Sequence, residues 1–282
     1  MSSARDDDVS GATLSYRRIL EREMESALKE IDRPTRGVFL SGFSAGLNLS
    51  FGALFMAMVL TFSDGFDSEL SKQVALASIS SVAFLFVVVG QTELFTAHTT
   101  MAVLPLLDGR VSVSEVTRLW GVVYASNLVG CVCFVGLIAA IGEPMGIVEP
   151  SAFGSLANAL SGLPWWVVLL SGVVAGWLMG LATWLSAASR DTIGRLVFVL
   201  LVTALIGFGP FHHSILGTTE MLSALVLAGN VSAGAFGTFL LFTTLGNVIG
   251  GGVFVGLLNY GHVALAGDQQ DVEFESKTRA DE

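Results

Sequence analysis

The chain has 282 residues, 52% of them hydrophobic and only 13% charged, with a mean hydropathy of +0.71. An ordinary soluble domain carries about 25% charged residues, so this composition excludes one and points to an integral membrane protein. The net charge is -10, and most of the acids lie toward the ends, eight of the 24 in residues 1–36 and six more after Gly267.

Residues 1–36 hold no apolar stretch of signal-peptide length, so no cleaved leader is expected. Within them, Leu20, Met24, Ala27, Leu28 and Ile31 recur on one helical stripe with charge elsewhere. That pattern predicts an amphipathic helix, lying on the membrane surface, clasping a neighbouring subunit, or simply solvated. A bilayer core of about 30 Å needs roughly 20 apolar residues per helix, and six runs follow: 37–62, 74–107, 116–141, 164–188, 196–228 and 235–263. The second and fifth are too long and are interrupted by polar sequence, QTELFTAHTT at 91–100 and GFGPFHHSI at 207–215. Each is therefore expected to form two half-helices around a break. Cys131 and Cys133 stand two apart in the third run, where a helix turns them to different sides, so neither a disulfide nor a metal site is expected.

Across six spans, 13 of the 14 lysines and arginines fall on one side and only Lys72 on the other. The excess of positive charge marks the cytoplasmic side, so both termini are expected there in a cell membrane. The chain then divides into a cytoplasmic N-terminal tail (1–36), a six-helix transmembrane domain (37–263) and an acidic cytoplasmic tail (264–282).

The chain also repeats itself. SGFSAG at 41–46 returns as SGVVAG at 171–176, and NLVG at 127–130 as NVIG at 247–250; Thr96 and His213 hold similar places in the two breaks. Two halves of three spans each must enter the membrane from opposite sides, an inverted 3+3 repeat whose broken helices meet near the midplane. Ionisable groups within the spans are scarce, and Glu93, His98, His212, His213 and Glu220 all fall in or near the breaks. A charge at the bilayer centre costs about 2.5–3.5 kcal/mol on insertion scales, so these are functional candidates. His213, His212 and His98 are all placed along the substrate pore, with His213 read as the transport residue and His212 more as a structural one. Glu93 and Glu220 are read as capping or pinning half-helices, Thr96 as a hydroxyl donor to a permeant or to its own backbone, and Asn127 and Asn247 as cross-helix supports.

ELFTAHTT, the later HSI, GNVIGGGVFVGL in the last span and RPTRGVFLSGFSAGLNLSFGA in the first resemble the formate/nitrite transporter family over about residues 33–262. The resemblance implies an aquaporin-like six-helix protomer with its own pore, assembled as a homopentamer. It gives Thr96 as the threonine of the loop that breaks the second helix and His213 as the central pore histidine. Phe84 falls at one apolar constriction, and Ile206, Phe208 and Phe211 compete for the other. The chain departs from the family at His98, where asparagine is usual, at Gly217, at the additional acid Glu220 and at AGWLMGL in the fourth span. The expected function is a channel or proton-coupled permease for small monovalent anions and their weak acids, formate and nitrite among them. The alternative is a neutral-solute channel for water, glycerol or ammonia, although neither half carries Asn-Pro-Ala. An intramembrane metalloenzyme is the third class; HExxH is absent from the sequence, and no cofactor, metal or nucleic acid is expected.

Overall fold

Each long apolar run starts its helix where the sequence supplies a cap or a fixed backbone angle. In the computed structural model, which describes residues 14–66 and 68–265, α1 (Tyr16–Asp32) begins at Ser15, whose Oγ accepts from Arg18 N. α2 (Thr35–Thr61) follows Pro34, a residue with no N–H to leave unpaired. α3 (Glu69–Val89) is capped by Ser68 and is followed by α4 (Phe95–Met101) and α5 (Val103–Leu107). α6 (Val113–Ile141) starts on a reciprocal Ser112–Glu115 capping box. α7 (Pro150–Leu160) and α8 (Trp165–Ala188) come next, the latter behind Pro164. α9 (Thr192–Phe208) is capped by Asp191. α10 (Ser214–Ser223) runs on as a π-helical turn at Ala224–Ala228. α11 (Ala233–Ile249) passes through π-helical Gly250–Leu257 into α12 (Leu258–Leu265).

Among the described residues, five helices are long and apolar enough to cross a membrane: α2, α3, α6, α8 and the continuous run Ala233–Leu265. The apolar stretches Phe95–Leu107, Thr192–Phe208 and Ser214–Ala228 are shorter. Large apolar side chains such as Leu137, Leu201, Leu205 and Leu241 stand exposed on these helices, the surface of a multi-pass membrane protein. α2 lies along α6 and α8 along α11 at backbone contact. A methyl on Gly46 would run into the Asn127 carbonyl, and one on Gly176 into that of Asn247, so the SGxxAG repeats are helix-packing motifs.

The structure revises four expectations. The interruptions are shorter than the polar sequence: only residues 90–94 and 209–213 leave the helix, and Thr96, His98, Ser214 and Ile215 are helical. Gly207 does not break α9; a methyl there would meet Ser80 Oγ and the Ala77 backbone, so it lets α9 close on α3. α7 was not expected, because 11 residues are too few to span a bilayer. The stripe on α1 faces neither lipid nor solvent. Leu20, Met24, Ala27 and Ile31 are buried, Leu28 half-buried, and Ile19, Leu20 and Met24 pack with Leu104, Trp184 and Val255 of the same chain. Arg22 ties the helix down by donating to the carbonyls of Ala187 and Ser189 at the end of α8, where cations are favoured. The first 13 residues, and the acidic tail beyond 265, lie outside the described residues.

Candidate permeation site

A helix that stops inside a membrane must find partners for its freed backbone groups. At residues 90–94 Asn127 supplies them: its Oδ1 accepts from Phe95 N, and its Nδ2 donates to the carbonyls of Gly42 and Glu93. At residues 209–213 Asn247 does the same, its Oδ1 accepting from Ser214 N and its Nδ2 donating to Gly172 and His212. Ser41 Oγ accepts from Glu93 N, and Ser171 Oγ from His212 N. The two sets correspond partner for partner, which aligns Glu93 with His212 and shifts the register proposed from Thr96 and His213 by two residues.

Two cavities approach these interruptions from opposite ends and share no lining residue. The wide one, about 970 Å³, is roofed by α1 and lined by five basic and five acidic side chains together with His98. The narrow one, about 260 Å³, has Lys72 and Glu220 as its charged groups, with Ile206, Phe211 and His213 at its inner end. Phe84 and Thr96 line neither cavity, and both are 0% exposed.

His213 sits in this plug. It is the N-cap of α10, its Nδ1 accepting from Leu216 N. In the neutral ring the hydrogen therefore resides on Nε2, which lies 3.0 Å from Thr96 Oγ1 and donates to it. The ring also meets Phe84 edge to face at 5.2 Å. His212, one residue away, points elsewhere: Nδ1 lies 2.8 Å from Ser171 Oγ and Nε2 donates to the Leu160 carbonyl, so both ring nitrogens serve the scaffold. Of the rival constriction residues, Ile206 is buried and Phe211 half-buried, and both line the narrow cavity. Phe208 is 44% exposed and lines neither cavity, which removes it from the site.

The two glutamates also separate. Glu93 pins: one oxygen accepts from Arg33 at 2.8 Å and the other pairs with His98 Nε2. Glu220 pins nothing, since its side chain is 7% exposed and makes no hydrogen bond or ion pair among the described residues, yet it lines the narrow cavity. His98 lines the wide cavity, and its Nδ1 has no hydrogen-bond partner among the described residues. Among the described residues no group of three or more His, Cys, Asp or Glu side chains could hold a metal ion.

A family model described as formate/nitrite transporter matches residues 17–261. The chain belongs to the formate/nitrite transporter family. It is a membrane transporter or channel, not an enzyme. Among its relatives are a probable formate transporter of Methanothermobacter thermautotrophicus, 30% identical with 83% of this chain and 92% of that one aligned, and the nitrite transporter NirC of Escherichia coli, 28% identical with 78% and 81% aligned. The fold matches a solved structure described as an FNT family ion channel, with a TM-score of 0.77 and 22% identity over 86% of this chain and 97% of that one. It also matches a pentameric formate channel with formate bound, with a TM-score of 0.67 and 24% identity over 86% and 98%.

For this member of the formate/nitrite transporter family, sequence reasoning passed over Ser41 and Ser171. Their signal was present, because both open the SGxxAG repeat. It also passed over Arg33 and Glu23. Glu23 is buried within the apolar stripe of α1, and its Oε2 has no hydrogen-bond partner among the described residues. Burial raises its pKa to about 7, with Arg195 pulling the other way. A lone acid on an apolar stripe is a sequence signal, but its neighbour Arg195 comes from a distant helix.

Proposed function

We propose that the chain carries small monovalent anions across the cell membrane together with a proton, in the form of their weak acids, with formate and nitrite as the leading substrates. The names of the relatives support this substrate class. The observation that carries it is the plug: a donor–acceptor pair, Thr96 Oγ1 and His213 Nε2, held 3.0 Å apart between the two cavities and beside buried Phe84. A bare anion entering this dry, apolar passage would lose its hydration for a single polar pair, at a cost of many kcal/mol. A neutral acid would lose far less. The Thr96 hydroxyl, accepting from His213, can donate its own hydrogen to a passing oxygen, so the pair can orient an acid and exchange a proton with it. Phe84 and Ile206 keep water from bridging the cavities.

In the same reading α3 with α4–α5, and α9 with α10, are single interrupted spans. Together with the other four long helices, α2, α6, α8 and Ala233–Leu265, they give six spans in two inverted halves, a division supported by the matched Asn127 and Asn247 clamps. Residues 1–36 and 264–282 flank the transmembrane domain 37–263 on the cytoplasmic side, in line with the lysine and arginine bias. Five copies would each provide a separate path, as the pentameric neighbour suggests.

The test is His213→Asn in proteoliposomes supplied with formate or nitrite. Influx at neutral pH is expected to fall about a hundredfold or more, the lower end of what a positioned proton donor contributes, with a changed pH dependence. Flux with unchanged rate and pH profile sinks the role of His213.

A further inference from the structure

Glu220 stands out as a buried carboxyl that does nothing for the fold. α10 carries His213, Gly217 and Glu220 at helical spacing, so all three line the narrow cavity, His213 at the plug and Glu220 nearly two turns further out. An unpaired carboxylate inside a membrane protein is costly and marks a functional site. The surrounding elements offer it no counter-charge. Among the described residues the only cation lining the cavity is Lys72, whose Nζ lies 2.8 Å from Glu69 Oε2. α7, α11 and the turn Ala224–Ala228 carry no charged side chain; the only charged side chain of α2 is Arg36, and those of α6 are Glu115 and Arg118, all at the opposite ends of their helices. The Cys131 thiol on α6 points to the Ile215 carbonyl, and His98 on α4 lines the other cavity.

An anion crossing a 260 Å³ cavity must pass close to this carboxyl. Two neighbouring acids in a confined space cannot both be ionised, and the pair retains one proton. We propose that Glu220 is the proton-loading group of the narrow cavity: a weak-acid anion occupies it only together with a proton held between the anion and Glu220. The proposal rests on the weak-acid reading above. In the loading step the O–H bond of Glu220 breaks as the O–H bond of the acid forms. The neutral acid moves on toward Phe84 and Ile206, and the Glu220 carboxylate takes its next proton from water on the same side. Transport in the reverse direction returns the proton to Glu220.

Influx of labelled formate into right-side-out and inverted vesicles, from a host lacking its own formate channels, tests this with wild type, E220Q and E220D over a range of pH. A protein that only admits formic acid already formed in bulk water loses rate about tenfold per pH unit above the acid's pKa. Wild type, loading the proton on site, is expected to fall less steeply from the side that the narrow cavity faces. E220Q should fall about tenfold per unit and lie at least about tenfold below wild type at neutral pH, while E220D keeps the shallow slope. E220Q with the wild-type slope and rate, or with faster charge-carrying formate flux, overturns the role of Glu220 alone. Wild-type vesicles that pass no weak acid at any pH overturn the functional reading beneath it. Should E220Q fail to assemble, the E220D slope decides, and a tenfold fall per unit in E220D also overturns the proposal.

Discussion

The two interruptions are built alike and the two cavities beside them are not. Asn127 and Asn247 hold them with the same three backbone bonds, and Ser41 and Ser171 add a fourth. Yet the position aligned with Glu93, which is paired to Arg33 and His98, is His212, which is bonded to Ser171 and Leu160. The charged wall lies on one side, and on the other a nearly apolar cavity holds a single unpaired acid. Buried backbone groups in a membrane must be paired, so both interruptions have these bonds. Side chains that line the two cavities are under no such constraint, and there the two interruptions differ.

The sharpest way to break this comparison is through the clamps. Asn127→Leu and Asn247→Leu should each leave buried backbone groups unpaired and cost about 3 kcal/mol or more, seen as early thermal loss of assembled protein in detergent. If one variant is tolerated and the other is not, the two interruptions are not equivalent. A second test probes the wide cavity through Glu23. Its carboxyl has a pKa raised by burial from 4.5 to about 7, so the folded state holds the proton more tightly than the unfolded one. Docking of α1 is then strongest below about pH 4.5 and weakens as pH rises to 7, by up to roughly 3 kcal/mol. Protease protection of α1 should therefore fall from pH 5 to pH 8 in the wild type and stay level in Glu23→Gln, with the variant the better protected at pH 8. The smallest effect belongs to Lys72, whose partner Glu69 is exposed. Lys72→Gln should shift stability by no more than about 0.5 kcal/mol in the same thermal assay, which would leave any change in flux to the narrow cavity itself.

Much of this was legible in the chain. The repeated SGxxAG, the paired asparagines and the polar interruptions fixed where helices approach and where they stop, because small residues and intramembrane polar groups have few other uses in lipid. His213 and Thr96 stood out for the same reason. The breaks themselves were drawn too long, since QTELFTAHTT is polar throughout but Asn127 lets the helix resume at Phe95. Phe208 looked as suitable as Ile206 because both are apolar, and only the facing of α9 separates them.

The sequence by itself determined that this is a membrane protein of apolar helices with two polar interruptions, because bilayer thickness and the cost of unpaired backbone leave no other arrangement of such runs. It also singled out the ionisable residues in and near the interruptions, Glu93, His98, His212, His213 and Glu220, though not Arg33 or Glu23. Only the tertiary structure decided what each one does. His212 and His213 are neighbours in the chain, but one ring is spent on Ser171 and Leu160 while the other meets Thr96, 117 residues away. Glu93 and Glu220 are both intramembrane acids, but one has Arg33 and His98 and the other has only the cavity. Pairing is a property of distances between segments far apart in sequence, and the order of residues along one chain does not contain it.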